Sequence, residues 1–243
     1  PSSRYAVLAI ADLRLHGLDV DPGQEGYVYY RQRAYREARI TLEDAVDDDS
    51  ITDAERAFRL YYLAAAYDDA GLKAESVPYY DRAVALDPDG TYGHRGRYWA
   101  ARALEDVNET EAASGRYRAL YVDGPPGPFR DEAGFRAGYV WYRAGDPRRA
   151  IETWDALAVD GEARVAYWRA RAYEQLGDTD RARAAYEVAA GDLRSFHGVE
   201  AARALAGAPP LDVSYVPLEP PAPPDWRAIE AWLARLVPGA PQE

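Results

Sequence analysis

The chain has 243 residues, 48% of them hydrophobic, with 41 acidic against 29 basic side chains and a formal net charge of −12. That balance speaks against nucleic acid as a partner, because phosphate backbones are met by basic surfaces. Without a single cysteine, disulfides and thiol nucleophiles are excluded, and no stretch approaches the roughly 18 unbroken apolar residues of a membrane span.

From the N-terminus, residues 5–15 and 27–45 carry the apolar spacing of two amphipathic helices, the second interrupted only by the β-branched pair Ile40-Thr41. Asp47-Asp48-Asp49 follows as an acidic corner. It lacks the glycine and ligand spacing of a calcium loop, so it reads as charge near a helix N-terminus. Thr52-Asp53-Ala54-Glu55 has the form of a capping box.

Next comes a repeat. Segment 57–90 places Leu60, Leu63, Ala64 and Tyr67 on one helix, Gly71 in a turn, Ser76, Tyr80 and Ala83 on a second helix, and Pro88 at its end. Antiparallel helices approach closely only where small side chains meet large ones, and this is the small/large order of a tetratricopeptide repeat. The turn recurs as Gly71, Asn108, Gly145 and Gly177, at spacings of 37, 37 and 32. Five positions later stand Ser76, Ala113, Ala150 and Ala182, and four beyond those Tyr80, Tyr117, Trp154 and Tyr186. The expectation is an all-α, superhelical solenoid of tetratricopeptide-like hairpins over 1–207, with repeats at 57–90, 94–127, 131–162 and 163–196. A helix over 194–206 closes it at Gly207. A proline-rich strap or linker covers 208–224, and Asp225 opens a terminal amphipathic helix and tail over 225–243.

Little in the sequence carries catalytic chemistry. His16, His94 and His197 are isolated, and no glycine-rich phosphate loop or i, i+4 histidine pair is present. No cofactor or metal is expected. Asn108-Glu109-Thr110 has the form of a glycosylation sequon but reads as turn chemistry. A binding groove is the better candidate. The first helices are expected to point Phe58, Tyr61 and Asp68 inward, then Arg95, Tyr98, Arg102 and Glu105, then Glu132, Arg136, Tyr139 and Tyr142, and last Arg164, Tyr167, Arg171 and Glu174. Tyrosine and arginine offer large contact areas with hydrogen-bonding tips, which suits recognition. Equally, Arg102–Glu105 and Arg171–Glu174 stand at i, i+3 and pair readily along their own helices.

Over 135–207 the chain resembles the superhelical domain of the soluble lytic transglycosylases of bacterial cell walls. The residues are Phe135-Arg136-Ala137-Gly138, Tyr142-Arg143-Ala144-Gly145-Asp146 with Ala150, Tyr167-Trp168-Arg169-Ala170-Arg171-Ala172, Gly177-Asp178 with Ala182, and Ser195-Phe196-His197-Gly198 with Ala201-Ala202 and Leu205. In that family the last motif reads Phe-Tyr-Gly, and His197 departs from it. The resemblance implies a non-catalytic scaffold preceding a lysozyme-like domain, a periplasmic or envelope location, a signal peptide upstream, and peptidoglycan glycan strands as partner. The family's catalytic Glu-Ser has its only counterpart in Glu75-Ser76, inside a repeat helix, and Gly-Leu-Met-Gln cannot occur in a chain without methionine. No catalytic role therefore transfers. The alternative is a stand-alone scaffold that binds a protein or peptide.

Overall fold

The computed structural model describes residues 4–159 and 162–209. Among these are twelve α-helices and no strand: α1 (Arg4–Leu15), α2 (Pro22–Arg31), α3 (Tyr35–Glu43), α4 (Asp53–Asp69), α5 (Lys73–Leu86), α6 (Thr91–Asp106), α7 (Thr110–Asp123), α8 (Pro128–Arg143), α9 (Pro147–Ala156), α10 (Ala163–Gln175), α11 (Thr179–Ala190) and α12 (Phe196–Leu205). None is long and apolar enough to cross a membrane. The expected strap and terminal helix at 208–243 fall, beyond Pro209, outside the described residues.

The architecture is an all-α superhelical solenoid of hairpins, and its turns follow from backbone chemistry. Gly71, Asn108, Gly145 and Gly177 all take positive φ, at 84°, 62°, 81° and 74°. Each lets the chain close the preceding helix with carbonyl-to-amide bonds and reverse direction, as in Leu72 N to Tyr67 O at 2.9 Å. The helix expected over 27–45 is corrected by the structure. It is a hairpin, α2 and α3, broken at Arg33 with φ of 60°, while Ile40-Thr41 lies inside α3. A β-branched pair lowers helix propensity by tenths of a kcal/mol, too little to end a helix that packs well. Arg33 therefore heads the turn series, with Ala38 and Leu42 at the small and large positions and both fully buried.

Among the described residues, Arg33 and Ala158 (φ 48°) are the two in left-handed conformation that are neither glycine nor asparagine. Replacing either with glycine is expected to raise the unfolding free energy by about 0.5–1 kcal/mol, measured as a shift of the urea midpoint.

Five hairpins use one small-against-large contact. The pairs are Gly26 with Leu42, Ala64 with Tyr80, Ala101 with Tyr117, Gly138 with Trp154, and Ala170 with Tyr186. Trp154, the largest of the second-helix residues, faces a glycine, because a Cβ on Gly138 would lie 2.5 Å from its indole. Trp154 Nε1 donates to Phe135 O at 2.9 Å, which satisfies its polar tip in the core.

Candidate binding face

Successive first helices pack backbone to backbone, α2 to α4, α4 to α6, α6 to α8, α8 to α10 and α10 to α12. The backbones of α3, α5, α7, α9 and α11 stay apart, with α5 and α7 joined at their side chains by the bidentate pair of Arg116 with Asp81 (2.8 Å). The first helices therefore line the inside of the curve and the second helices its outside.

The expected groove residues divide by burial. Tyr61, Tyr98 and Glu105 are 4%, 8% and 5% exposed and belong to the packing between helices. Asp68 is buried too, and Phe58 is half-buried. Arg102, Arg136, Tyr139, Tyr142, Tyr167 and Arg171 remain half-buried on the inner side, and Glu174 is exposed.

The acids three positions before each turn act first as acceptors for the tyrosine of the second helix. Tyr80 donates its hydroxyl to Asp68 Oδ2 at 3.4 Å and Tyr117 to Glu105 Oε2 at 2.8 Å, and Tyr186 bonds Glu174. Where the second helix carries Trp154 instead, no acid is needed, and that position holds Tyr142. Glu105 also collects guanidinium groups from Arg102 (3.3 Å), Arg136 (3.0 Å) and Arg143 (3.0 Å). Arg136 continues to Glu132 at 2.7 Å, and Glu132 to Arg164 at 2.6 Å. This ladder ties α6, α8 and α10 together. The i, i+3 pair Arg171–Glu174 forms at 3.3 Å. Lys73, the sole lysine, pairs with Asp68 and with Asp106 at 3.2 Å, joining α5 to its neighbours on either side.

Aromatic clusters flank the ladder. On one side Tyr27, Phe58, Tyr62 and Tyr92 meet, with Tyr27 to Tyr62 centroids 4.6 Å apart and Phe58 to Tyr62 5.0 Å. On the other, Trp168 stands edge-on to Tyr139 and Tyr142 at 4.9 and 5.1 Å. Tyr62, Trp99 and Trp168 all stand nine positions before their turns, where the third repeat has the expected groove residue Arg136, and these three aromatics are absent from the expected groove. The signal was the repeated Tyr-Trp pair. In Tyr98-Trp99 the tyrosine is buried against Tyr117 of its own hairpin and Phe129 of the next, and the half-buried tryptophan packs against the cores of two adjacent repeats.

Burial raises the tyrosines' proton affinity. The Tyr61 hydroxyl is pushed up to about 12 by burial, and burial also raises Tyr80, Tyr98, Tyr117 and Tyr186, with Asp68, Glu105 and Glu174 adding to it at Tyr80, Tyr117 and Tyr186. A phenol that holds its proton more tightly when folded stabilises the fold fully below the unfolded value of about 10 and loses that contribution above it. The urea midpoint is expected to fall steeply from about pH 10 towards 12, in step with the 295 nm absorbance of ionised tyrosine.

Ser195-Phe196-His197-Gly198 begins α12. Ser195 Oγ accepts from Gly198 N at 3.0 Å, and a Cβ on Gly198 would lie 2.0 Å from Asp192 O. His197 packs on Tyr167 at 5.5 Å, and burial lowers its proton affinity. No group of three or more acids, histidines or cysteines suited to a metal occurs among the described residues.

Residues 59–89 and 164–191 match the tetratricopeptide repeat family. No curated protein sequence gives a significant match. Among solved structures the chain is similar to a crystal structure of MamA protein, at 19% identity and a TM-score of 0.53 over 79% of this chain and 94% of that one. It is also similar to a mutant form of MamA, at 20% and 0.51 over 69% and 88%. A kinesin light chain structure from Podospora anserina, with nearly identical TPR-like repeats, aligns at 18% and 0.51 over 76% and 98%. These likenesses concern the fold alone. The described chain is thus a superhelical solenoid of tetratricopeptide-type hairpins.

Proposed function

We propose that this chain is a non-enzymatic scaffold whose inner face, formed by α2, α4, α6, α8 and α10, docks a peptide segment of a partner protein. The observation that carries this reading is the composition of that face. Half-buried tyrosine, tryptophan and arginine side chains flank a rigid ionic ladder, and such groups offer contact area at little entropic cost. Arginine forks pair with peptide carboxylates, and the aromatic rings take apolar side chains.

The alternative is the scaffold of an envelope lytic transglycosylase, with glycan strands on the same face. It rests on the motifs at 135–207, and the fold accounts for most of those residues by packing alone. Gly138 admits Trp154, Tyr167 meets Tyr186, and Gly198 clears Asp192. The peptide reading is therefore preferred.

Display selection of peptides on the whole chain tests it. Selected peptides are expected to bind the unaltered chain and to lose at least about tenfold in affinity with Trp168→Ala or Tyr62→Ala, with helicity unchanged. Purified muropeptides serve as the second arm. Muropeptide binding without peptide binding would replace this reading with the transglycosylase one.

A further inference from the structure

A cavity of about 300 Å³ opens at the start of α6 and α8, walled by Thr91, His94, Arg95, Leu120, the loop Pro125-Pro126-Gly127-Pro128, Phe129 and Arg130. Its wall is largely apolar, and the loop is stiff. Three prolines fix φ, and Gly127 supplies the one conformation (φ 146°) that other residues resist. Phe129 is held in turn by Tyr98, ring centroids 4.9 Å apart. A pre-formed apolar pocket binds without the entropic cost of ordering its own walls.

One wall residue breaks the pattern of the inner face. Arg102, Arg136, Arg143, Arg164 and Arg171 each have a carboxylate partner. Arg95 has none among the described residues, although acids outnumber bases in the chain. Its guanidinium lies over the Tyr61 ring at 5.2 Å, half-buried, so it is held in place with its donors uncommitted to an acid. Arg130, by contrast, spends its Nε donor on Tyr121 O at 2.8 Å. The adjoining helix start adds to the positive field: α8 is capped by Gly127, which has no side chain to accept its first amides.

Resting on the peptide-docking reading, we propose that this pocket is the anchor of the inner face and takes an apolar, preferably aromatic, side chain whose neighbouring carboxylate pairs with Arg95. Either the last residue of a peptide, which carries both groups, or an internal apolar–acidic pair supplies that chemistry.

The probes are N-acetyl-phenylalanine, its amide, and an acetylated, amidated Phe-Glu dipeptide, titrated into the whole chain and followed by amide NMR. N-acetyl-phenylalanine is expected to shift the amides of Thr91–Arg95 and Phe129–Arg130. Its amide is expected to bind at least about tenfold more weakly. Arg95→Gln should abolish the difference between acid and amide, and Arg95→Lys, which keeps the charge, should retain part of it. Phe-Glu binding as well as the free acid identifies a side-chain carboxylate, and weaker binding identifies a terminus.

Equal binding of acid and amide, shifts confined to other residues, or no binding at millimolar probe would overturn the proposal. Peptides selected on the inner face that bind the Arg95→Gln chain as well as the unaltered one would remove the anchor and leave the docking face standing.

Discussion

Glu105→Ala is expected to lower the unfolding free energy by about 3 kcal/mol, whereas Glu174→Ala, at the same place in its own repeat, is expected to cost under about 1 kcal/mol. The two acids differ in surroundings and not in register. The Glu105 side chain is 3% exposed and receives three arginines and the Tyr117 hydroxyl. Its removal leaves the buried Tyr117 hydroxyl without its carboxylate acceptor and removes the ion pairs by which Arg136 and Arg143 of α8 hold α6. Arg143 is 52% exposed and rehydrates easily, which places the loss at the lower end of the range for a broken buried pair. Glu174 is 45% exposed, and among the described residues it pairs with Arg171 along its own helix and with Tyr186. Urea unfolding of both variants, followed by circular dichroism, checks the contrast. Equal losses would mean that the ladder does not hold the repeats together.

Gly138→Ala is expected to cost about 1–3 kcal/mol through overpacking, and Trp154→Tyr in the same chain should recover about 1 kcal/mol of it. The added Cβ would stand 2.5 Å from an indole with no room to retreat, since Trp154 is fully buried and bonded to Phe135 O. Three other hairpins accommodate alanine at this point because they carry tyrosine opposite: Ala64 with Tyr80, Ala101 with Tyr117 and Ala170 with Tyr186. Recovery should be partial, because a tyrosine at 154 would face Tyr142 and not a carboxylate. A double-mutant cycle measures the coupling. Simple additivity would show that the pair is not the size-matched contact described.

These contrasts also show what the sequence made legible. Gly71, Asn108, Gly145 and Gly177 announce their turns because glycine and asparagine tolerate left-handed backbone, so the hairpin series and the all-α solenoid could be read directly. Arg33 and Ala158 turn equally sharply, but nothing in those residue types demands it, and the α2–α3 hairpin was hidden for that reason. At the inner face, the tyrosine–arginine composition was legible and its exposure was not. Tyr61 and Glu105 point toward second helices, and only the residues there decide that they are buried. The Tyr-Trp pairs identified the repeat, yet which of the two rings is buried and which stays half-exposed on the inner face depends on a helical rotation of one residue. Arg95 looked like any other groove arginine, and its lack of an acid partner emerges only from the folded arrangement of the acids.

Hydrogen exchange of the whole chain, with and without a display-selected peptide at saturation, tests the docking face most directly. Protection is expected along the exposed sides of α4, α6, α8 and α10, strongest near Tyr62, Arg95 and Trp168, with α5, α7, α9 and α11 unchanged. Protection confined to the second helices, or spread evenly over both layers, would contradict the assignment of the inner face as the binding surface.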